Sequence, residues 1–176
     1  MTGVQTCALP ILNSAYGALA NEYFRWFNFN HAEAITTSGQ LSIRWIERKM
    51  NEFMNSMMKT EGKDYVIAAD TDSIYINMGP VIDRLGMKDR PDAEISKIIN
   101  SFSEEKIVPY MDRSYIELAK MMNARQQKMQ MKRETIANKA IWKAKKMYIM
   151  NALDIEGVQY SDRKSTRLNS SHIPLS

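Results

Sequence analysis

The stretch AADTDSIYI, from Ala68 to Ile76, constrains the fold more than any other, because it places two aspartates inside an apolar, β-prone sequence. The runs on either side, VIAA and SIYI, predict two short strands, so Asp70, Thr71 and Asp72 are expected to form the turn of a hairpin. Ionised carboxylates are rarely buried unless they are paired or bind a metal. The pattern therefore predicts a hairpin whose tip has a chemical role.

The two aspartates of this turn are candidate ligands for a divalent cation. Side chains two positions apart in extended backbone point to the same face, so Asp70 and Asp72 are expected to lie side by side. A hard cation relieves their repulsion, and Mg²⁺ prefers one or two protein carboxylates completed by water and substrate phosphates. The alternative is an ordinary turn in which aspartates cap backbone amides, but such turns usually carry Gly or Asn rather than apolar flanks.

The helical patterns on both sides of this hairpin predict an α+β fold, with helices packed on one face of an antiparallel sheet. Asn13 to Phe24 is expected to be the end of a helix that stops near the NFNH stretch. Apolar spacings of three and four predict a long amphipathic helix from Ala32 to about Lys59. Its methionine stripe is expected to pack in the core: Met50, Met54 and Met57.

The second half of the chain combines one interrupted helix with two strands. Asp92 to Lys120 is periodic enough for a helix, and Pro109 is expected to interrupt it. The stretches KMQMKRETIA and AIWKAKKMYIMNAL alternate and predict two strands, followed by a turn at IEG. Four lysines cluster near the second stretch and favour phosphate contact, although lysines also protect edge strands from aggregation: Lys139, Lys143, Lys145 and Lys146.

The two ends of the chain are expected to be translated adapter DNA rather than native protein. Met1 to Ile11 and Asp162 to His172 can be encoded by complementary strands, codon against codon, and the encoded DNA resembles a common sequencing-library adapter. Residues 1–11 and 162–176 are therefore set aside in predicting the fold, as an expression tag would be. This removes the only cysteine, Cys7, and part of the +4 net charge, so no disulfide chemistry is predicted.

Three motifs, in their order along the chain, resemble the palm and fingers edge of family B DNA polymerases, with the closest likeness to replicases of tailed bacteriophages. They are NSAYG at Asn13 to Gly17, DTDS at Asp70 to Ser73 and WKAKKMY at Trp142 to Tyr148. The resemblance implies that residues 12–30 are the end of a fingers helix with motif B. It implies that residues 31–161 are a palm fragment with motif C and the KKMY strand.

The resemblance also implies an activity and its metal ligands. The family consists of DNA-directed DNA polymerases, which are nucleotidyltransferases. Asp72 would be the carboxylate that bridges two Mg²⁺ ions, with Asp70 as its close supporting partner. Glu134 matches an acidic position of such palms and would have a secondary role. The family's other metal-binding aspartate, in motif A, is expected to lie upstream of this chain, so the isolated piece is expected to be inactive.

Contacts to the substrates follow from the same resemblance. Asn13 and Tyr16 would face the incoming nucleotide, and Gly17 would let the template backbone approach closely. The KKMY residues would contact the primer end of the duplex: Lys145, Lys146 and Tyr148. The implied partners are primer-template DNA, dNTP and, for the full-length protein, a sliding clamp. The implied location is the cytoplasm of an infected bacterium, and no run of about 18 apolar residues suggests a membrane span.

Two other functions are compatible with the residues alone. A metal-dependent glycosyltransferase of the Asp-x-Asp type also binds a nucleotide diphosphate, but it would be expected to carry an open α/β nucleotide-binding half before the motif. A noncatalytic nucleic-acid-binding module is the second alternative. Such a module should not need Asp70 and Asp72 for metal binding, so Mg²⁺ titration separates it from an enzyme.

Overall fold

The computed structural model describes residues 17–144, residues 147–159 and the backbone of residues 166–170, and in these parts helices pack with two antiparallel sheets. The predicted mixture of helices and antiparallel strands is therefore confirmed. The described strands form two separate sheets, whereas the sequence pattern predicted one. None of the helices in the described part combines the length and apolar character required to cross a membrane.

The longest element is helix α1, Phe29–Met58. It begins after the N-cap Asn28, whose side-chain oxygen accepts a hydrogen bond from the backbone N–H of His31 at 3.1 Å. It ends at Lys59, which adopts a left-handed conformation with a φ of 54°. Its buried positions recur every four residues along one face: Ser42, Ile46, Met50 and Met54. This confirms the predicted helix and the packing of its methionines in the core.

The helical segment before α1 ends earlier than predicted. Residues 17–19 are helical, and turns and bends replace the expected helix beyond them. The Asn21 side chain accepts a hydrogen bond from the N–H of Tyr23 at 3.0 Å, and the N–H of Asn28 donates to the Leu19 carbonyl at 2.9 Å. Asparagine side chains that bind nearby backbone in this way compete with helix formation.

Three further helices follow the first hairpin: α2 (Gly79–Arg84), α3 (Asp92–Phe102) and α4 (Val108–Met121). A π-helical turn, Ser103–Ile107, joins α3 to α4. Pro109 lies in the first turn of α4, where its missing N–H and its ring disturb the preceding turn of a regular helix. The predicted interruption is confirmed, and it takes the form of a wider turn within a continuous helical path.

The helical core lies between α1 and α4. The indole N–H of Trp45 on α1 donates to the Ser114 carbonyl on α4 at 2.9 Å, and Lys49 pairs with Glu117 at 2.9 Å. The first hairpin closes one side of this core through Tyr65 and other apolar side chains. The buried residues of the cluster are Ile46, Met50, Met54, Tyr65, Val66, Val81, Ile107, Met111, Tyr115 and Leu118.

The smaller sheet is the hairpin of β1 (Val66–Ala69) and β2 (Ile74–Ile76), whose strands are antiparallel. In the larger sheet β4 lies at the centre and pairs with each of the remaining described strands. Its members are β3 (Thr135–Ala144), β4 (Met147–Ile155), β5 (Val158–Gln159) and β6 (Thr166–Ser170). The IEG turn joins β4 to β5 as predicted, with positive φ at Glu156 (51°) and Gly157 (89°), as the tightest hairpin turns require. Strand β6 lies in the segment assigned to adapter DNA, and that assignment stays a prediction.

The boundary between the two long strands differs from the prediction. Of the stretch KMQMKRETIA, only the last three residues belong to β3, and β3 continues as far as Ala144. Strand β3 ends at Ala144 and β4 begins at Met147, so Met147 and Tyr148 of the KKMY motif lie on β4. The reason is the register, because Thr135 lies opposite Ile155 and Ala144 lies opposite Met147. Alternation shows which residues are β-prone, but only the pairing shows where the chain reverses.

Candidate active site

The two aspartates predicted to bind metal lie at the tip of the β1–β2 hairpin. Strand β1 ends at Ala69, and the backbone N–H of Asp70 then donates to the Ser73 carbonyl at 2.8 Å. Thr71 and Asp72 form the bend between the strands. Asp70 is half-buried and Asp72 is exposed. The predicted hairpin is confirmed, and its tip presents the Asp72 carboxylate to solvent.

The local geometry corrects the argument that placed both carboxylates on one face. Asp72 lies in the bend, so strand periodicity does not reach it. One carboxylate oxygen of Asp70 accepts hydrogen bonds from the backbone N–H of Thr71 at 2.7 Å and from its hydroxyl at 3.2 Å. Asp70 therefore performs the capping role that the sequence offered as the alternative, and Asp72 is the more accessible of the two carboxylates.

The base of the hairpin is attached to helix α1 by side-chain hydrogen bonds. The Asn51 side-chain oxygen accepts hydrogen bonds from the backbone N–H groups of Tyr65 at 2.8 Å and Val66 at 3.0 Å. On β2, Ile74 and Ile76 pack against the helical core. The helices thus fix both the start of β1 and one face of β2, which determines where the Asp70–Asp72 turn is held.

The other face of β2 contacts the larger sheet through three aromatic rings. The Tyr75 ring lies 5.3 Å from the Trp142 ring on β3 and 5.6 Å from the Tyr148 ring on β4, both with edge-to-face geometry. The Trp142 and Tyr148 rings are 6.4 Å apart. We call these three residues the aromatic cluster. The structure therefore brings Tyr148, which was predicted to contact DNA, close to the aspartate hairpin, and leaves it only 8% exposed.

The Tyr75 hydroxyl has an altered acidity in this cluster. The pKa of Tyr75 is raised to about 12, chiefly by burial and also by a hydrogen bond with Tyr148. A hydrogen bond with Ser73 opposes it, and the nearby negative charge of Asp70 contributes a smaller rise. Tyr75 is therefore a neutral phenol at physiological pH that lies within the electrostatic reach of the Asp70 carboxylate.

This pKa predicts how the stability of the chain depends on pH. An exposed tyrosine loses its proton near pH ~10, whereas folded Tyr75 retains it to about pH 12. A raised folded pKa gives stability that is complete below the unfolded value and is lost as the pH rises through the folded value. We expect urea denaturation to show a decline in stability over this interval that is smaller in Tyr75→Phe. Tyr23→Phe, at a side chain 90% exposed, is the control, and an equal decline in all three chains would contradict the assignment.

The other predicted site residues lie in several separate parts of the chain, and some of them lie outside the described residues. Gly17 lies in the short helical segment before α1, and Glu134 is exposed just before β3, with its carbonyl accepting a hydrogen bond from the N–H of Glu156 at 2.7 Å. Lys139 and Lys143 are exposed on β3. Four predicted site residues lie outside the described residues: Asn13, Tyr16, Lys145 and Lys146.

Sequence reasoning missed the ion pair between Arg133 and Asp154. It joins the segment before β3 to β4, and the two side chains are only 11% and 4% exposed. Asp154 also accepts a hydrogen bond from the N–H of Gly157 at 3.0 Å. Two opposite charges separated by 21 positions give no periodic signal, so only the tertiary structure reveals this pair.

The donor set for a metal is partial on this chain. In residues 17–144 and 147–159, no group of three or more His, Cys, Asp or Glu side chains is arranged to hold a metal ion. Two aspartates at a hairpin tip can nevertheless fit Mg²⁺, because this ion keeps several waters and binds through one or two carboxylates plus substrate phosphates. An ion held here would need ligands beyond these two carboxylates.

Two curated proteins to which this chain is similar in sequence are both named DNA-directed DNA polymerase. The chain is 39% identical over 163 residues to the DNA-directed DNA polymerase of Escherichia phage RB69, in an alignment that covers 88% of this chain. It is 37% identical over 161 residues to the DNA-directed DNA polymerase of Enterobacteria phage T4, covering 86% of this chain. No protein-family model matches the chain.

These alignments also describe the extent of the chain. It spans 18% of the length of each of these two curated relatives. The chain is therefore similar, over most of its own length, to one segment of a phage DNA polymerase.

Proposed function

We propose that this chain is a piece of a DNA-directed DNA polymerase that performs template-dependent nucleotidyl transfer during viral DNA replication. The observation that carries the proposal is the similarity of most of the chain to two phage enzymes of that name, at 37–39% identity. The aspartate hairpin adds independent support, because its carboxylates lie at an accessible tip. By the same proposal, the hairpin, its helices and the larger sheet are a palm fragment, and the segment before α1 is the end of a fingers helix.

In this proposal Asp72 and Asp70 are the residues that hold Mg²⁺. When bound, a pair of such ions stabilises the attacking and leaving oxygens of phosphoryl transfer. Asp72 suits this role because it is exposed at the bend. Asp70 lies beside the bend, and hydrogen bonds from Thr71 fix the Asp70 carboxylate. Glu134 is proposed as an accessory carboxylate, because it is exposed beside the larger sheet.

The larger sheet is proposed to bind the primer end of the DNA duplex. A polymerase copies every sequence, so its contacts must be made to phosphates and to the minor groove, where base pairs look alike. Exposed Lys139 and Lys143 on β3 suit phosphates, and Tyr148 lies beside the aspartate hairpin. Further contacts are proposed for motif residues on the family resemblance alone: Asn13, Tyr16, Gly17, Lys145 and Lys146.

The proposal extends to the surroundings of the complete enzyme. Primer-template DNA and dNTP are its substrates, a sliding clamp is its processivity partner, and the cytoplasm of an infected bacterium is its location. Residues 1–11 and 162–176 are proposed to be adapter-derived. The support is that Met1 to Ile11 and Asp162 to His172 can be encoded by complementary DNA strands.

The test is a comparison of the isolated chain with the full-length protein, whose coding sequence is recovered by extending the reading frame in the source DNA. We expect the full-length protein to extend a primer on a DNA template only when Mg²⁺ is present, and the isolated chain to be inactive. The position four residues before Asn13 is Leu9 here, inside the segment proposed to be adapter-derived, and the family resemblance implies a lysine there in the recovered sequence, with an aspartate on a strand further upstream. DNA binding without extension would favour the noncatalytic module, and hydrolysis of a nucleotide sugar would favour the glycosyltransferase.

A further inference from the structure

We propose that Tyr75 is a positioning residue, which fixes the Asp70–Asp72 turn relative to the sheet that carries Tyr148. The inference rests on the proposed polymerase function. It adds a residue that is outside the three motifs quoted above, and a physical reason why two of those motifs act together.

The first observation is the contact between the two sheets. Tyr75 is on the three-residue strand β2, and its ring meets two rings of the larger sheet at 5.3 and 5.6 Å. Both contacts are edge-to-face, the arrangement that the charge distribution of aromatic rings favours. Such contacts are directional, so they restrain the angle of the hairpin as well as its distance from β3 and β4.

The second observation is the alternation of side chains along β2. Ile74 and Ile76 pack against the helical core, whereas Tyr75 between them packs against the larger sheet. Because successive side chains of a strand point to opposite faces, the hairpin is held between two packed layers. Tyr75 supplies the aromatic contact on the layer that contains Tyr148.

The third observation is the short path from Tyr75 to the carboxylates. Tyr75 lies opposite Ala68, and Asp70 is two residues beyond Ala68, so Tyr75 and Asp70 share one face of the hairpin. The Asp70 charge acts on the Tyr75 hydroxyl, which agrees with this placement. A shift of the Tyr75 ring therefore moves the turn directly, through three residues of backbone to Asp72.

This arrangement matters because nucleotidyl transfer requires the primer end and the metal-binding carboxylates to be held at a fixed distance and orientation. The proposed primer contact is on the larger sheet, and the proposed metal ligands are on the hairpin. A displacement of about 1 Å between the primer contact and the metal ligands can reduce the rate about a hundredfold. The aromatic cluster is a direct contact between the two, so it is expected to contribute to setting their separation.

The test compares variants of the full-length polymerase that contains this segment. Tyr75→Leu is expected to lower the single-turnover rate of nucleotide incorporation on bound primer-template by about a hundredfold, with little change in DNA affinity. Tyr75→Phe keeps the ring contacts and should retain most of the rate. The matched control is Tyr110→Leu, because Tyr110 packs on Phe53 in the helical core at 4.6 Å and does not belong to the aromatic cluster.

A second variant keeps the test decisive if Tyr75→Leu does not fold. Trp142→Phe replaces the ring that Tyr75 contacts on β3 with a smaller one, which weakens the same contact. This variant is also expected to lower the single-turnover rate. Where both Leu variants fold, Tyr75→Leu and Trp142→Leu should be non-additive, because residues acting through one contact are coupled. Additive losses, or an equal loss of rate in Tyr110→Leu, would overturn the positioning role.

The outcomes also separate this inference from the proposed function. If the full-length protein does not incorporate nucleotides at all, the polymerase assignment itself fails; if incorporation does not depend on Asp72, the assignment of Asp72 to the metal site fails. If it depends on Asp72 but Tyr75→Leu incorporates at the unsubstituted rate, the site is as proposed and only the positioning role of Tyr75 is wrong.

Discussion

Replacing Asp72 with Asn in the proposed full-length polymerase is expected to abolish Mg²⁺-dependent primer extension. The substitution keeps the size of the side chain and removes the negative charge that would hold the metal at the exposed tip of the hairpin. Metal stabilisation of the charge in the transition state provides several kcal/mol, so we expect a loss of about three orders of magnitude in rate. The measurement is single-turnover extension over a range of Mg²⁺ concentrations.

The matched control for this experiment is Asp89→Asn. Asp89 is also an exposed aspartate in a turn, and it lies between α2 and α3, outside the aspartate hairpin. It undergoes the same chemical change, so its rate should equal that of the unsubstituted enzyme. Full extension activity in Asp72→Asn would remove Asp72 from the metal site.

Replacing Asp154 with Leu is expected to have the largest effect on stability. The change leaves the Arg133 guanidinium, whose side chain is only 11% exposed, without its carboxylate partner. Removing one member of a buried ion pair costs about 3–5 kcal/mol, because an uncompensated charge then remains buried. We expect the free energy of opening the β3–β4 hairpin to fall by this amount, measured by native-state amide hydrogen exchange of the isolated chain.

Two comparisons identify the cause of this loss. Arg133→Met combined with Asp154→Leu removes both charges and should recover much of the protection from exchange. Asp83→Leu removes one member of an exposed pair, in which Asp83 and Lys88 lie 3.7 Å apart, and should change protection by less than about 1 kcal/mol. If the double variant is as destabilised as Asp154→Leu alone, the ion pair is not the reason.

Several elements could be predicted from the sequence because their signals are local. The spacing of Ile46, Met50 and Met54 along one helical face defines α1 and its buried side without knowledge of any partner. The apolar runs around DTDS define the hairpin, and Pro109 marks the interruption between α3 and α4. In each of these cases the information lies within a few residues of the feature.

Other features could not be predicted because they depend on pairs that are distant in sequence. The position of the break between β3 and β4 depends on the register of Thr135 with Ile155, which alternation alone leaves open. The early end of the helical segment before α1 involves the bond from the Asn28 N–H to the Leu19 carbonyl, nine residues apart, which forms only in the folded geometry.

The sequence by itself determined the chemistry that is available, and the tertiary structure decided which groups can act together. DTDS is visible in the printed chain and its carboxylates suggest metal binding, whereas the DNA contact of Tyr148 is implied only by the family resemblance. Only the fold shows that Tyr75 places the hairpin against Trp142 and Tyr148, and that Asp70 caps its own turn while Asp72 is exposed. The physical reason is that local sequence sets backbone preference, whereas the packing of distant side chains sets distances between functional groups.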